Sequence, residues 1–541
     1  MCQNSKCPIC NAKGGLLCGA CREVSYCSKE HQREHWKIHK TACHPYEVKR
    51  SPDLGRYLTC KRDIEIHGTI LTELPLVFGP KFSSPTPQCL GCYQPLDLDN
   101  IEARCPKCNW PACSADCPGL THRHHHLQEC LVFSLNTDTD ELGYYYEAVT
   151  PLRCLLLQKR NPKKWDELMS MESHIKKRGK DSDVYEETDQ IAQYLVNNFL
   201  CKLDHSILPK MSVEIIHVIC GILEVNAMDI GTGNGELSAL YPNACLMEHS
   251  CIPNTRYMIQ LEDFKITVLS SQNLKKGDHV ATMYTHMLWG TAARLEHLKN
   301  TKYFVCKCKR CQDPTELGTN LSTLKCIGTS PDDINTPCTG LILPQNSVDD
   351  NSDWKCTQCP VILTGRHVAD LMSRIAADVD ATLESPSVKK LQDFLLKLEK
   401  LVHKNHYHCF MLKHSLVQLL GREDGYTHDK MSNEDLQKKI DMCKDLLDVS
   451  STLDVENTRV VLYNAVILLE LFLTMFEQYN RTKGKLEKSK LLEEGKAHLE
   501  NCIYILRFEP LSSSGSRIAN VCKGHLFRIK NELKKYEVIE L

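Results

Sequence analysis

Two runs of cysteine and histidine, spaced in nearly the same order, constrain this chain more than any other feature. From Cys7 it reads C-x2-C-x7-C-x2-C-x5-C-x3-H-x7-H-x3-C, ending at Cys43. From Cys89 it reads C-x2-C-x12-C-x2-C-x4-C-x3-C-x8-H-x3-C, ending at Cys130. A C-x2-C knuckle places two thiolates on one ion, and a spacing of four residues stacks two ligands on one helical face. Eight donors suit two tetrahedral Zn²⁺ ions. The order predicts an interleaved assignment: Cys7, Cys10, Cys27 and His31 on one ion, and Cys18, Cys21, His39 and Cys43 on the other. In the second copy the sets are Cys89, Cys92, Cys113 and Cys117, then Cys105, Cys108, His126 and Cys130. Among the histidines of "HRHHH", His126 is preferred because its spacing to Cys130 matches that of His39 to Cys43.

The chain holds 31 cysteines in all. Its start, "MCQNSKCPIC", lacks the basic-then-apolar pattern of an export signal, so an intracellular setting is expected, nuclear or cytoplasmic. Thiols stay reduced there, which favours metal ligation over disulfides. Two further clusters fit this view. "CKCKRC" supplies Cys306, Cys308 and Cys311, one donor short of a tetrahedron, and Cys326, Cys338, Cys356 and Cys359 end in the knuckle "CTQC" and read as a zinc ribbon. Tetrahedral counting gives about six zinc ions.

With 66 basic and 68 acidic side chains the formal net charge is −2, so no global field draws the chain to nucleic acid, and direct nucleic-acid binding is not expected. No purely apolar run of about 18 residues occurs. The closest, "VVLYNAVILLELFLTMF" from Val460, contains Asn464 and Glu470 and reads as a buried helix, so no membrane partner is expected. At 541 residues the chain is too long for a single core.

"MDIGTGNGEL", residues 228–237, has the look of a cofactor-binding turn of a doubly wound sheet, and Glu248 lies 19 residues beyond Asp229, near the spacing of a ribose-binding acid. Its flanks exclude that fold. Before it, Ile215, Val218, Ile219 and Ile222 fall at helical intervals. After it, "TRYMIQLEDFKITVLSSQNLKKGDHVATMY" alternates short strand and turn, leaving no room for a crossover helix. The stretch is therefore expected to be a loop. Residues 54–81 read as strands and turns, broken by Gly55, Gly68 and Pro75. Residues 141–225 read as helical, with Ile191, Leu195, Val196 and Phe199 on one side, and helical periodicity resumes from about 363.

"YCSKEHQREHWKIHKTAC" resembles a MYND finger, a cross-braced zinc module that recognises short, often proline-containing peptides, with His31 where a cysteine is common. "GRYL", "NA", "LYP", "HSCIPNT", "LKKGDHVATMY" and "CKCKRC" occur in the order seen in the SET-and-MYND (SMYD) protein-lysine methyltransferases. The additional N-terminal finger and "CLGC" resemble the SmydA branch. The resemblance implies a multidomain chain: an N-terminal MYND finger (1–46), then a split, mainly-β SET domain (47–300) holding a second MYND-type finger (89–130) and a helical insert (141–225). A post-SET zinc site (301–312), a zinc-ribbon-like, four-cysteine segment (313–362) and an all-α TPR-like domain (363–541) follow.

The same resemblance supplies roles. Cys251 completes the zinc site of Cys306, Cys308 and Cys311. Arg56, Asn226, Glu248 and His249 lie along a pocket for S-adenosylmethionine (SAM), Phe304 stacks on adenine, and Tyr284 is the active-site phenol and a cofactor contact. The implied activity is methylation of a lysine in a protein substrate, which includes histones, with peptide or corepressor partners taken by the fingers. Two residues depart from the family pattern. "EHSC" replaces Asn-His-Ser-Cys, and ionised Glu248 only accepts hydrogen bonds where asparagine both donates and accepts. Tyr57 stands where a second glycine is common. These departures raise a competing expectation, a catalytically weak SET-fold adaptor that recruits repressor partners through its fingers.

Overall fold

The computed structural model describes residues 6–18, 24–40, 43–82, 87–122, 126–138, 143–180, 182–204, 208–231, 236–511 and 513–537. Its contacts divide the chain into two units. The first comprises Met1–Glu248, Tyr257–Val280 and Thr301–Tyr303, and the second His249–Arg256, Ala281–Asn300 and Phe304–Leu541.

In the first unit, the N-terminal finger has a two-stranded ribbon, Leu16–Leu17 with Ser25–Tyr26, and a helix, Lys29–His39. Ser28 caps that helix by accepting from the His31 N–H. The alternating segments between the fingers pair antiparallel. Tyr46–Ser51 runs against Gly55–Cys60, turning at Gly55 with a φ of +67°, where glycine meets no steric penalty. Thr69–Glu73 pairs with Ile266–Ser270. Val77–Pro80 and Met228–Gly231 flank Glu236–Leu240 in a three-stranded antiparallel sheet. Leu58, Ile70, Tyr241, Ile266, Val268 and Val280 fill the core of these sheets. A second core joins the second finger to the helices Val149–Arg160, Asp183–Asn198 and Val213–Asn226, which lie within the stretch read as helical.

"MDIGTGNGEL" is not a loop but the two arms of a β-hairpin, preceded by the helix Val213–Asn226. Ile230 faces Leu237 across the strands and both are buried, so the apolar pair pins the register that the glycines alone leave open. The glycine-rich residues 232–235 lie outside the described residues.

In the second unit, Leu324–Lys325, Leu341–Pro344, Trp354–Cys356 and Ile362–Leu363 form a four-stranded antiparallel sheet in chain order. Among the described residues seven helices follow: Gly365–Glu384, Val388–Leu398, Tyr407–Leu419, Asn433–Leu453, Val461–Arg481, Lys485–Ile505 and Ser514–Glu537. Thr364, Ser387 and Ser432 cap the first, second and fourth of these by accepting backbone N–H groups. Val461–Arg481 is long and apolar enough to cross a membrane by length and composition alone, with just over half of its apolar window buried inside the protein. Its Asn464 and Glu470 are buried, and the Glu470 carboxylate accepts from Lys439 Nζ at 2.8 Å and from Arg422. An apolar helix that buries a paired carboxylate is built for a protein interior.

Candidate functional site

The zinc-ligand geometry follows from two local devices, knuckles and helix faces. In the N-terminal finger, Cys7 and Cys10 come from a knuckle, Cys27 precedes the helix Lys29–His39 and His31 lies in its first turn. Their donor atoms all lie within 4.8 Å of one another, with Cys27 Sγ 3.0 Å from His31 Nδ1. Zinc accepts imidazole as readily as thiolate, so His31 completes a tetrahedral set. Cys18 Sγ lies 3.6 Å from Cys43 Sγ, and His39 is buried with its ring edge-on to Tyr26. Cys21, expected to complete that set, lies outside the described residues.

In the second finger, Cys89, Cys92, Cys113 and Cys117 meet at one point and Cys105, Cys108, His126 and Cys130 at another. The Cys89–Cys92 knuckle touches the short 3-10 helix Pro118–Leu120 that follows Cys117: a Cβ on Gly119 would sit 1.8 Å from the Gly91 carbonyl oxygen. His126 presents Nε2 to Cys108 Sγ at 3.2 Å, and its Nδ1 faces Glu129 Oε1, also at 3.2 Å. Arg153 donates to both Glu129 oxygens, at 2.7 and 2.9 Å, and through Nη1 to the Phe78 carbonyl and the Tyr93 hydroxyl. Burial alone would raise the Glu129 pKa, but Arg153 and His126 hold it below the usual carboxylate range. A buried carboxylate behind a ligating histidine fixes the ring's tautomer and direction. The ligand spacing gave no sign of this shell; an arginine within the apolar run "PLRCLLL" was the available signal.

In the second unit, Cys251, Cys306, Cys308 and Cys311 form one cluster and Cys326, Cys338, Cys356 and Cys359 another. The ribbon thiolates accept backbone N–H groups from Gly328, Gly340 and Gln358 at 3.3–3.4 Å, which stabilises the ionised form that zinc binds. Arg294 and Arg310, both fully buried, converge on Glu316, with Arg294 Nη1 2.6 Å and Arg310 Nη2 3.0 Å from Oε2. Arg294 also reaches Cys311 Sγ at 3.6 Å, so this ion-paired core braces the post-SET cluster.

The residues given cofactor and catalytic roles are distributed over both units. In the first, Arg56 Nη2 donates to the Ser170 carbonyl at 2.9 Å, while Asn226, the last residue of its helix, donates from Nδ2 to the Glu172 and Ile222 carbonyls, each at 2.8 Å. Arg56 and Asn226 thus hold the same short segment, residues 170–172. With its amide hydrogens engaged, Asn226 offers a ligand only the Oδ1 acceptor. Glu248 Oε2 accepts from His279 Nδ1 at 2.9 Å, and the His279 ring stacks on Tyr57 with centroids 4.8 Å apart.

In the second unit, the His249 ring packs against both Tyr284, at 5.2 Å, and Phe304, at 5.8 Å. Burial pushes the His249 imidazole down to about 4, so the ring is neutral at ordinary pH. Its Nδ1 accepts from the Tyr284 backbone N–H at 3.0 Å, which leaves the ring proton on Nε2, 3.3 Å from Cys251 Sγ. One imidazole therefore connects the zinc cluster to the tyrosine. Arg459, just before the helix Val461–Arg481, donates to Thr282 Oγ1 and the Met283 carbonyl, fixing the strand that leads into Tyr284.

The chain is similar to known proteins over much of its length. Residues 7–43 match the MYND finger family model. The SET domain-containing protein SmydA-8, isoform B, of Drosophila melanogaster is 27% identical over 405 residues, covering 72% of this chain and 84% of that protein. The histone-lysine N-methyltransferase ASHR1 of Arabidopsis thaliana is 23% identical, covering 68% of this chain and 75% of its own length. The N-lysine methyltransferase SMYD2 of Rattus norvegicus is 25% identical over 230 residues, 41% of this chain and 47% of that one. With a MYND finger at its start, zinc-binding clusters along it, and SmydA-8 and SMYD2 among its relatives, the chain resembles the SET-and-MYND (SMYD) family.

Proposed function

We propose that this chain is a SAM-dependent protein-lysine N-methyltransferase acting on a histone or another protein. The observation that carries the reading is the packing of neutral His249 against Tyr284 and Phe304, with its Nε2 on the Cys251 zinc cluster. Methyltransferase names among the relatives support it.

SAM would supply an electrophilic methyl group that an uncharged lysine amine would attack in line, forming the N–C bond as the C–S bond breaks, with the neutral thioether leaving and the proton of the methylated ammonium passing to solvent. The first unit supplies Asn226 Oδ1 and Glu248, acceptors suited to an α-ammonium. The second supplies Phe304, 37% exposed, an aromatic face suited to adenine. The Tyr284 hydroxyl positions the incoming amine in line with the methyl group, and the apolar surroundings favour the uncharged amine that the displacement requires.

Calorimetric SAM binding and labelled methyl transfer to a cell extract test this. Wild type should bind SAM and label protein. Tyr284→Phe should bind SAM within about two-fold of wild type and lose on the order of 100-fold in rate, as removal of one positioned polar group does. If wild type neither binds nor labels while Glu248→Asn does both, the natural chain is not an enzyme.

A second reading, a finger that recruits a peptide partner, is favoured by Trp36 and Ile38, which are 41% and 70% exposed on the helix of the N-terminal finger. That binding should survive Tyr284→Phe and be lost in Ile38→Glu.

A further inference from the structure

The two residues that depart from the family pattern, Tyr57 and Glu248, are joined by a third that the pattern does not single out. His279 forms an antiparallel bridge with Thr59, and the adjacent Val280 N–H donates to the Leu58 carbonyl at 2.9 Å. Tyr57 and Thr59 project from the same face of the strand Gly55–Cys60, so Tyr57 is the diagonal neighbour of His279, and their rings stack at 4.8 Å with 26° between planes. The same backbone returns to Glu248, whose N–H donates to the Val280 carbonyl at 3.3 Å. Glu248 is thereby held beside His279. An ionised carboxylate cannot donate, so the proton in the 2.9 Å contact is carried by His279 Nδ1.

Among the described residues, Glu248 Oε1 accepts no hydrogen bond, although its side chain is only 20% exposed. The carboxylate is thus half used. His279 fixes one oxygen and withdraws part of its charge, while the other is presented in a single direction. An unrestrained glutamate would attract the ammonium of an amino-acid moiety and repel its carboxylate almost equally. A glutamate clamped through Oε2 presents one acceptor, the half of an asparagine amide that an ammonium uses.

We propose that His279 is a positioning residue, stacked on Tyr57, that lets Glu248 act as the ammonium acceptor for the SAM amino-acid moiety. This rests on the methyltransferase reading above. It makes Tyr57, Glu248 and His279 one functional unit, in which Glu248 is tolerated because a His279 hydrogen bond occupies its Oε2.

A double-mutant cycle read by calorimetric SAM binding to the full-length chain tests it. His279→Ala should weaken SAM binding about ten-fold in the wild-type background but less than about two-fold in a Glu248→Gln background, because the amide needs no clamp. His279→Gln, which restores a donor, should recover most of the loss. Tyr57→Gly should weaken binding about five-fold, the scale of a lost ring–ring contact. Equal weakening by His279→Ala in both backgrounds would overturn the proposal, because a merely structural histidine behaves that way. If neither wild type nor Glu248→Gln binds SAM, the methyltransferase reading itself has failed and takes this one with it.

Discussion

Glu129→Leu should separate two roles that one buried carboxylate performs in the second finger. The Glu129 side chain is fully buried, orients His126 through Nδ1 and receives two hydrogen bonds from the equally buried Arg153. Removing it leaves the Arg153 guanidinium with only the Phe78 carbonyl and the Tyr93 hydroxyl. Breaking a buried pair in this way costs about 3–5 kcal/mol, because the surviving charge is stranded. The His126 ring also loses its orienting partner, which costs about 10–100-fold in metal affinity. Glu129→Leu/Arg153→Met removes both charges, so it should recover most of the stability while leaving zinc retention weak. The assay is zinc release to a chromogenic chelator, with hydrogen exchange over Leu127–Phe133 as the local stability measure. Local exchange is the right measure here, because a chain of two units does not unfold as a single two-state system. If the double variant held zinc as tightly as wild type, the carboxylate would act only as a counter-charge to Arg153, and the argument for ring orientation would be wrong.

Two further outcomes follow from packing and burial. Gly119→Ala places a methyl group 1.8 Å from the Gly91 carbonyl and should part the Cys89–Cys92 knuckle from the turn after Cys117, lowering the zinc content measured by mass spectrometry; Gly179→Ala, with open space around the new carbon, should leave it unchanged. In the second unit, burial pushes His406 down to about 3 and His408 and His414 down to about 4. The unfolded chain takes up these protons below pH ~6.5 and the folded chain refuses them, so stability is full above that pH and falls toward pH 4, by up to about 1.4 kcal/mol per pH unit per group. Among the described residues, neither His408 ring nitrogen has a hydrogen-bond partner. His408→Phe should therefore reduce the loss of local stability between pH 7 and pH 5.5, measured by hydrogen exchange over Tyr407–Leu419, by about 1 kcal/mol; an unchanged loss would place the proton uptake elsewhere.

The zinc ligands were legible because the rules that place them are local. Cys27 and His31 lie one helical turn apart, and Cys356 and Cys359 share one knuckle, so spacing alone carries the geometry. The helices were legible for the same reason: the apolar residues of Val388–Leu398 repeat at helical intervals, and Val388, Leu391, Leu395 and Leu398 are all buried. What supports the ligands was not legible. Arg153 and Glu129 are 24 residues apart, and Arg56 meets Ser170 across 114. Such partners are chosen by the fold, and a sequence shows at most that an arginine or glutamate sits where an apolar residue would be expected.

Glu248 illustrates this at the site that matters most. By spacing it suggested a ribose-binding acid, and by family resemblance a substitution that would weaken cofactor binding. Both inferences treat the side chain as alone. In the folded protein its charge is shared with His279, whose ring rests on the other departure from the family pattern, Tyr57. On the proposal made above, two changes that each look damaging form one compensated arrangement, in which a glycine at position 57 would leave His279 without the ring it stacks on. Buried or half-buried polar groups have to be judged by their partners, not by their identity. The identity of the residue at position 248 is therefore weak evidence of lost activity when His279 stands opposite it.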